Sequence, residues 1–222
     1  MPRPMLAEAR AAAWRAVAPP ALLALAALLL LGLLLALTPS GVTLQTLQPA
    51  ESASGPEDWG WAIQAAPGWV ALFFLGDTVF AVALGWTFLR LWRALPDGPM
   101  AAIGIGAALL KAGADVLENL LHLQPALEAL MTGTFALPPV GALISLAMVK
   151  RAAAAVTGLA FAFALPGDSG AARGGRLLLA AMGFAAALGF FVPALRLAHV
   201  TLLSGFLAYL LWYSRRAADE LH

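Results

Sequence analysis

The sequence predicts an all-α, polytopic membrane bundle of about six transmembrane helices, and three observations carry that reading. Of the 222 residues, 62% are hydrophobic and 11% charged, with a mean hydropathy of +0.85. Soluble domains carry about 25% charged residues. Apolar runs long enough to cross a hydrocarbon core of about 30 Å recur along the chain. Arginines gather at alternate ends of those runs, as the positive-inside rule requires.

Ala16 to Leu37 is an almost unbroken Ala/Leu run and forms the first span. Arg3, Arg10 and Arg15 precede it, but its length exceeds the roughly 7 to 15 apolar residues of a signal peptide. An uncleaved anchor is expected. The second span covers about 68–92, the third 100–123, and the fourth 137–165, which is long enough to tilt. A tight hairpin of 176–193 and 197–213 completes the set. The segment Thr38 to Pro67 is a polar outer loop with Glu51, Glu57 and Asp58, and its Trp59 and Trp61 suit an interfacial helix or re-entrant cap. The stretch Pro166 to Gly175 reads as an ordinary turn.

With the N-terminus inside, the cytoplasmic segments hold Arg3, Arg10, Arg15, Arg90, Arg93, Arg173, Arg176, Arg215 and Arg216, whereas the outer loops hold Arg196. Both termini are therefore expected on the cytoplasmic side of a bacterial inner membrane, in a single domain of 222 residues. There is no internal repeat. Gly104, Gly106, Gly113, Gly183 and Gly189 favour close helix packing in lipid.

The net charge of +1 and the dispersed arginines argue against nucleic acid as a partner. Cysteine is absent, which removes disulfides, thiolate metal sites and cysteine nucleophiles from consideration. Three histidines give a metal site little support, and no cofactor is implied. The Gly-rich GIGAALLKAG lacks phosphate-loop spacing, and neither a nucleophile elbow nor HExxH occurs. The lipid bilayer is the expected environment, and a lipid or small apolar molecule a possible ligand. The oligomeric state is not legible.

Chemistry concentrates in the spans. The only two lysines, Lys111 and Lys150, lie inside apolar stretches, with Asp77, Asp115, Glu118 and Arg151 in similar positions. Insertion scales charge about 2.5 to 3.5 kcal/mol for each such residue at mid-bilayer, so a function is the default explanation. Arginine outnumbers lysine 11 to 2, and lysine, unlike arginine, can release its proton when buried. Lys111, Asp115, Glu118 and His122 fall at i, i+4, i+7 and i+11, placing all four on one stripe of the third span with Asn119 alongside. That stripe should turn inward, descending from His122 near the outer surface to Lys111 near mid-bilayer. Asp77 and Lys150 should lie at similar depths on the neighbouring spans.

Each residue also has a plainer reading. Asp77 with a basic partner locks two helices as readily as it does chemistry, and Lys111 with Asp115 reads first as a local ion pair. His122 reads as an exposed or capped histidine, and His199 on the last span as a hydrogen-bonding helix residue. Asp115, Glu118 and Asn119 in one turn exceed what helix adhesion needs.

GDTVF at Gly76 to Phe80, ADVLEN at Ala114 to Asn119 and the mid-helix Lys150 together resemble a family of uncharacterised bacterial multi-spanning membrane proteins. That family carries an Asp, a D-x-x-E-N and a Lys on successive helices. The resemblance covers about 76–151 and implies that Asp77, Asp115, Glu118, Asn119 and Lys150 share one site, without implying an activity.

Three functions fit the residues. An intramembrane enzyme would use Asp115 or Glu118 as acid, Asp77 as proton partner, Asn119 as orienting donor and Lys150 as electrostatic stabiliser. Its substrate would be an isoprenoid-like lipid, with Lys111, His122 and His199 as further binding groups. A proton- or ion-coupled transporter would use the same stripe as a relay. A structural or assembly protein would use it as an internal ion-pair network.

Overall fold

The computed structural model describes residues 3–38, 56–137, 139–167, 169–189, 191–192 and 194–219. Among them the elements are all helical: α1 (Arg3–Arg15), α2 (Ala18–Ala36), α3 (Pro56–Ala65), α4 (Pro67–Ala94), α5 (Pro99–Thr132), α6 (Val140–Ala164), α7 (Gly170–Leu188) and α8 (Ala194–Asp219). Six helical stretches are long and apolar enough to cross a membrane: Glu8–Ala36, Pro67–Ala94, Pro99–Thr132, Val140–Ala164, Gly170–Leu188 and Leu197–Arg216. The expected polytopic all-α bundle is the observed architecture.

The helix ends follow from local chemistry. Proline sits in the first turn of α2, α4 and α5, where a missing N–H costs nothing. Pro96 and Pro166 hold the preceding Leu95 and Leu165 in extended backbone and so end α4 and α6. Helix α5 stops at Gly133, whose φ of 75° is a left-handed conformation that glycine adopts at little cost. The Ser169 hydroxyl accepts from the Ala172 N–H at 3.2 Å and caps α7.

The first span starts at Glu8 rather than Ala16, and two others also differ from the sequence reading. The third continues past Leu123 to Thr132, carrying Pro125 inside the helix. Proline is tolerated there because packed helices can satisfy the carbonyl groups it frees, and Pro125 is buried. At about 1.5 Å per residue, the 34 residues of α5 reach about 51 Å and extend beyond the hydrocarbon. The fifth span begins at Gly170 rather than 176 and ends at Leu188 rather than 193. The Ser169 cap supplies a start signal strong enough to make the Gly-rich segment helical.

Helices α2, α4, α5, α6, α7 and α8 pack each against the next, and α8 returns to α2, closing a ring. The ends where α2, α5 and α7 finish, with α3 beside them, form the cap face. The opposite ends, with Arg15, Arg93 and Arg216, form the arginine face. Towards the arginine face the ring is filled by Phe88, Phe161 and Phe206, with Phe88 stacked at 5.3 Å on Phe161 and 6.1 Å from Phe206. Gly104 lets α5 approach this layer, since a Cβ there would lie 3.0 Å from the Phe161 ring. Gly158 and Gly183 bring α6 and α7 into backbone contact, a Cβ on Gly158 falling 2.6 Å from the Leu179 carbonyl oxygen. Gly106 and Gly113, by contrast, have nothing within 4 Å of such an atom and do not mediate close packing.

Candidate functional site

The polar stripe of α5 is turned into the bundle. Asp115, Glu118, Asn119 and His122 are all buried, and Lys150 of α6 is buried opposite them. Lys111 pairs with Asp115 one turn away along α5. Lys150 inserts between two carboxylates, with its ammonium nitrogen 3.3 Å from Asp115 Oδ1 and in contact with Glu118 Oε2. Four ionisable side chains thus form a continuous series, Lys111, Asp115, Lys150 and Glu118, in which bases and acids alternate. Burial of such groups is tolerable only when each faces an opposite charge, and this alternation supplies that condition.

Asp77 on α4 completes the convergence of three helices. Asp77 is half-buried and lies within electrostatic reach of Asp115, Lys150 and Lys111, with the Asn119 side chain beside it. Its helix approaches α5 closely because Gly85, two turns along, meets Ala112 at 3.0 Å where a Cβ would stand. Arg151, next to Lys150 on α6, is half-buried.

His122 departs from the expected exposed or capped histidine: it has no exposed surface. Its ring stacks on Phe74 of α4 at 4.4 Å and meets Trp59 of α3 edge-on at 4.8 Å. The ring of Trp59 is 1% exposed, whereas Trp61 is 46% exposed. Where an interfacial helix or a re-entrant cap was expected, the segment is the helix α3, and one of its tryptophans is a core residue rather than an interface residue. Glu51 lies outside the described residues. The contact among Trp59, Phe74 and His122 joins three helices and has no local sequence signal.

His199 of α8 sits apart from Lys150. Its Nδ1 is 3.0 Å from the Met182 carbonyl oxygen of α7. It shares with Lys111, Thr157 and Phe88 the lining of a narrow void of about 10 Å³ inside the ring, the room of roughly one water molecule. Lys111 is thus the member of the series that faces the ring interior, while Lys150 and Glu118 lie further towards the cap face. Among the described residues, no three His, Asp or Glu side chains group as a metal site. At the arginine-face end of α8, away from these residues, Ala208, Leu211, Trp212, Arg215 and Arg216 form one open, outward face.

No family model, curated protein or solved structure matches this chain.

Proposed function

We propose that this protein handles protons within a membrane, as part of proton- or ion-coupled transport, through the series Lys111, Asp115, Lys150 and Glu118. The observation that carries the reading is Lys150 seated between two carboxylates of the neighbouring helix. One salt bridge is enough to fasten two helices, and an apolar contact does so at lower cost. Four alternating charges instead provide adjacent sites between which a proton can pass, and intramembrane ionisable groups commonly mark such pathways. The space adjoining Lys111 is sized for water and not for an isoprenoid, which favours proton handling over lipid chemistry.

In the proposed orientation, both termini lie in the cytoplasm of a bacterium and the cap face is outside, because the arginines collect at the opposite face. The series then occupies the outer half of the bilayer. The Phe88, Phe161 and Phe206 layer closes it from the cytoplasm, so passage across requires that layer to open.

Proteoliposomes containing a pH-sensitive dye and subjected to a potassium diffusion potential test the proposal. The native chain is expected to move protons. Lys150→Arg keeps the charge but cannot give up a proton, and should lower the flux at least roughly tenfold while the protein remains folded. Equal flux in both would remove Lys150 from the pathway.

A second reading is favoured by the saturation of the series, in which Asp115 meets two lysines and Lys150 two carboxylates. Here the network clamps α5 to α6 in a structural or assembly protein. Absence of ion-gradient-driven flux in the native protein, together with a loss of stability in a charge-free Lys150→Met/Glu118→Gln pair, would establish the clamp.

A further inference from the structure

Of the three carboxylates at the site, Asp77 is the one that the ion-pair series does not use. Among the described residues Asp115 and Glu118 are paired with lysines, and Asp77 forms no ion pair. It lies within electrostatic reach of Asp115, Lys150 and Lys111, whereas Arg151 is not among the charges that reach it. Three carboxylates therefore face two lysines. Were all five ionised, the site would hold an uncompensated negative charge inside the membrane, where such a charge is most costly. A proton on one carboxyl group removes it.

The fold also gives Asp77 a distinct position. Asp77, Ala81, Leu84 and Phe88 fall at i, i+4, i+7 and i+11 on α4 and share one stripe. Leu84 and Phe88 line the void inside the ring, so the stripe faces the interior, with Asp77 about 10 Å nearer the cap face than Leu84. Asp77 is half-buried, while Asp115, Glu118 and Lys150 are buried. It is the most exposed acid of the three. The ionisable groups facing it come from α5, as Lys111, Asp115 and Glu118, and from α6, as Lys150. Helix α2 has no ionisable residue between Ala18 and Ala36, Asp58 of α3 is exposed, and the charges of α1 lie towards the arginine face.

We infer that Asp77 is the residue that takes up and releases the transported proton, which the Lys111, Asp115, Lys150 and Glu118 series passes on. The inference rests on the proton-transport reading above. With its proton, Asp77 is neutral, and the two lysines match the two remaining carboxylates. Without it, the Asp77 carboxylate competes with Asp115 for the lysines within its reach, so loading and unloading the proton redistributes attraction between α4 and α5. The same two lysines repel a metal cation, which favours a proton as the occupant.

Dicyclohexylcarbodiimide, an apolar reagent that adds to protonated carboxyl groups and spares carboxylates, tests this on the full chain in proteoliposomes. Peptide mass spectrometry locates the adduct, and the pH-sensitive dye reads proton flux. The reagent should modify Asp77 ahead of Asp115 and Glu118 and stop the flux in parallel, and alkaline buffer should protect Asp77. Asp77→Asn should abolish that adduct and lower the flux at least roughly tenfold. Asp77→Glu should retain the adduct and part of the flux, and Asp58→Asn should leave both unchanged. Unaltered far-ultraviolet circular dichroism and melting would show that the variants remain folded. A native chain that moves protons while Asp77 stays unmodified, or a flux that survives in Asp77→Asn, would overturn the inference and leave the transport reading standing. A native chain without flux would overturn both. Protection of Asp77 by sodium at constant pH would show that a metal cation occupies the carboxylate and would overturn the proton as its ligand.

Discussion

At the residue scale, Lys150 determines most of what the site can be. It faces two carboxylates from the adjacent helix, so its removal leaves buried negative charge with too few partners. Lys150→Met is expected to lose about 3–5 kcal/mol, and Lys150→Met/Glu118→Gln, which leaves Asp115 with Lys111, should recover most of that loss. Thermal unfolding in detergent of the three proteins measures both effects. The spacing of Lys111, Asp115, Glu118 and His122 made their common face legible in the sequence, because helical periodicity is a local property. The sequence placed Lys150 at a similar depth and the resemblance grouped it with Asp115 and Glu118, but that its ammonium pairs with both of these was not legible. Two helices at a given depth can rotate freely in a sequence reading, and the packing of α6 on α5 fixes the angle.

At the scale of elements, glycine separates positions that look alike in sequence. Gly158 of α6 touches the α7 backbone at Leu179 and Gly183, so Gly158→Ala should destabilise the protein by about 1–3 kcal/mol. Gly113→Ala meets nothing within 4 Å and should be neutral or stabilising by up to about 1 kcal/mol. A pair of melting curves distinguishes them. Gly113 was expected to mediate packing and does not, whereas Gly158, which no sequence feature singled out, is in the contact. Small size announces that a close approach is possible, and only a facing helix makes one. The boundaries of α5 and α7 carry a similar lesson. Pro125 resembles a stop signal, yet the helix passes through it to the left-handed Gly133, and the Ser169 cap starts α7 before the apolar run begins.

At the scale of the whole molecule, the closed ring gives the protein two unlike faces. One carries α3 and the buried Trp59, Phe74 and His122 contact, and the other the arginines. The native chain has no cysteine, so single cysteines report orientation cleanly. Thr134→Cys lies at the cap face and Asp97→Cys at the arginine face, and both positions are exposed. In intact cells a membrane-impermeant thiol reagent should label the first and spare the second. The reverse pattern would invert the proposed orientation and place the ion-pair series in the inner half of the bilayer.

The sequence by itself determined the membrane class, the six spans and the inward stripe on the third span. Each of these depends on hydrophobic length, on periodicity or on short-range signals, all of which are written within a few turns of chain. The tertiary structure decided that Lys150 bridges Asp115 and Glu118, that Lys111 and His199 line one void, that His122 is enclosed by two aromatic rings, and that the ring closes on a phenylalanine layer. Those features depend on the relative rotation and depth of helices distant in sequence. Only the packing of complete side chains against one another sets both.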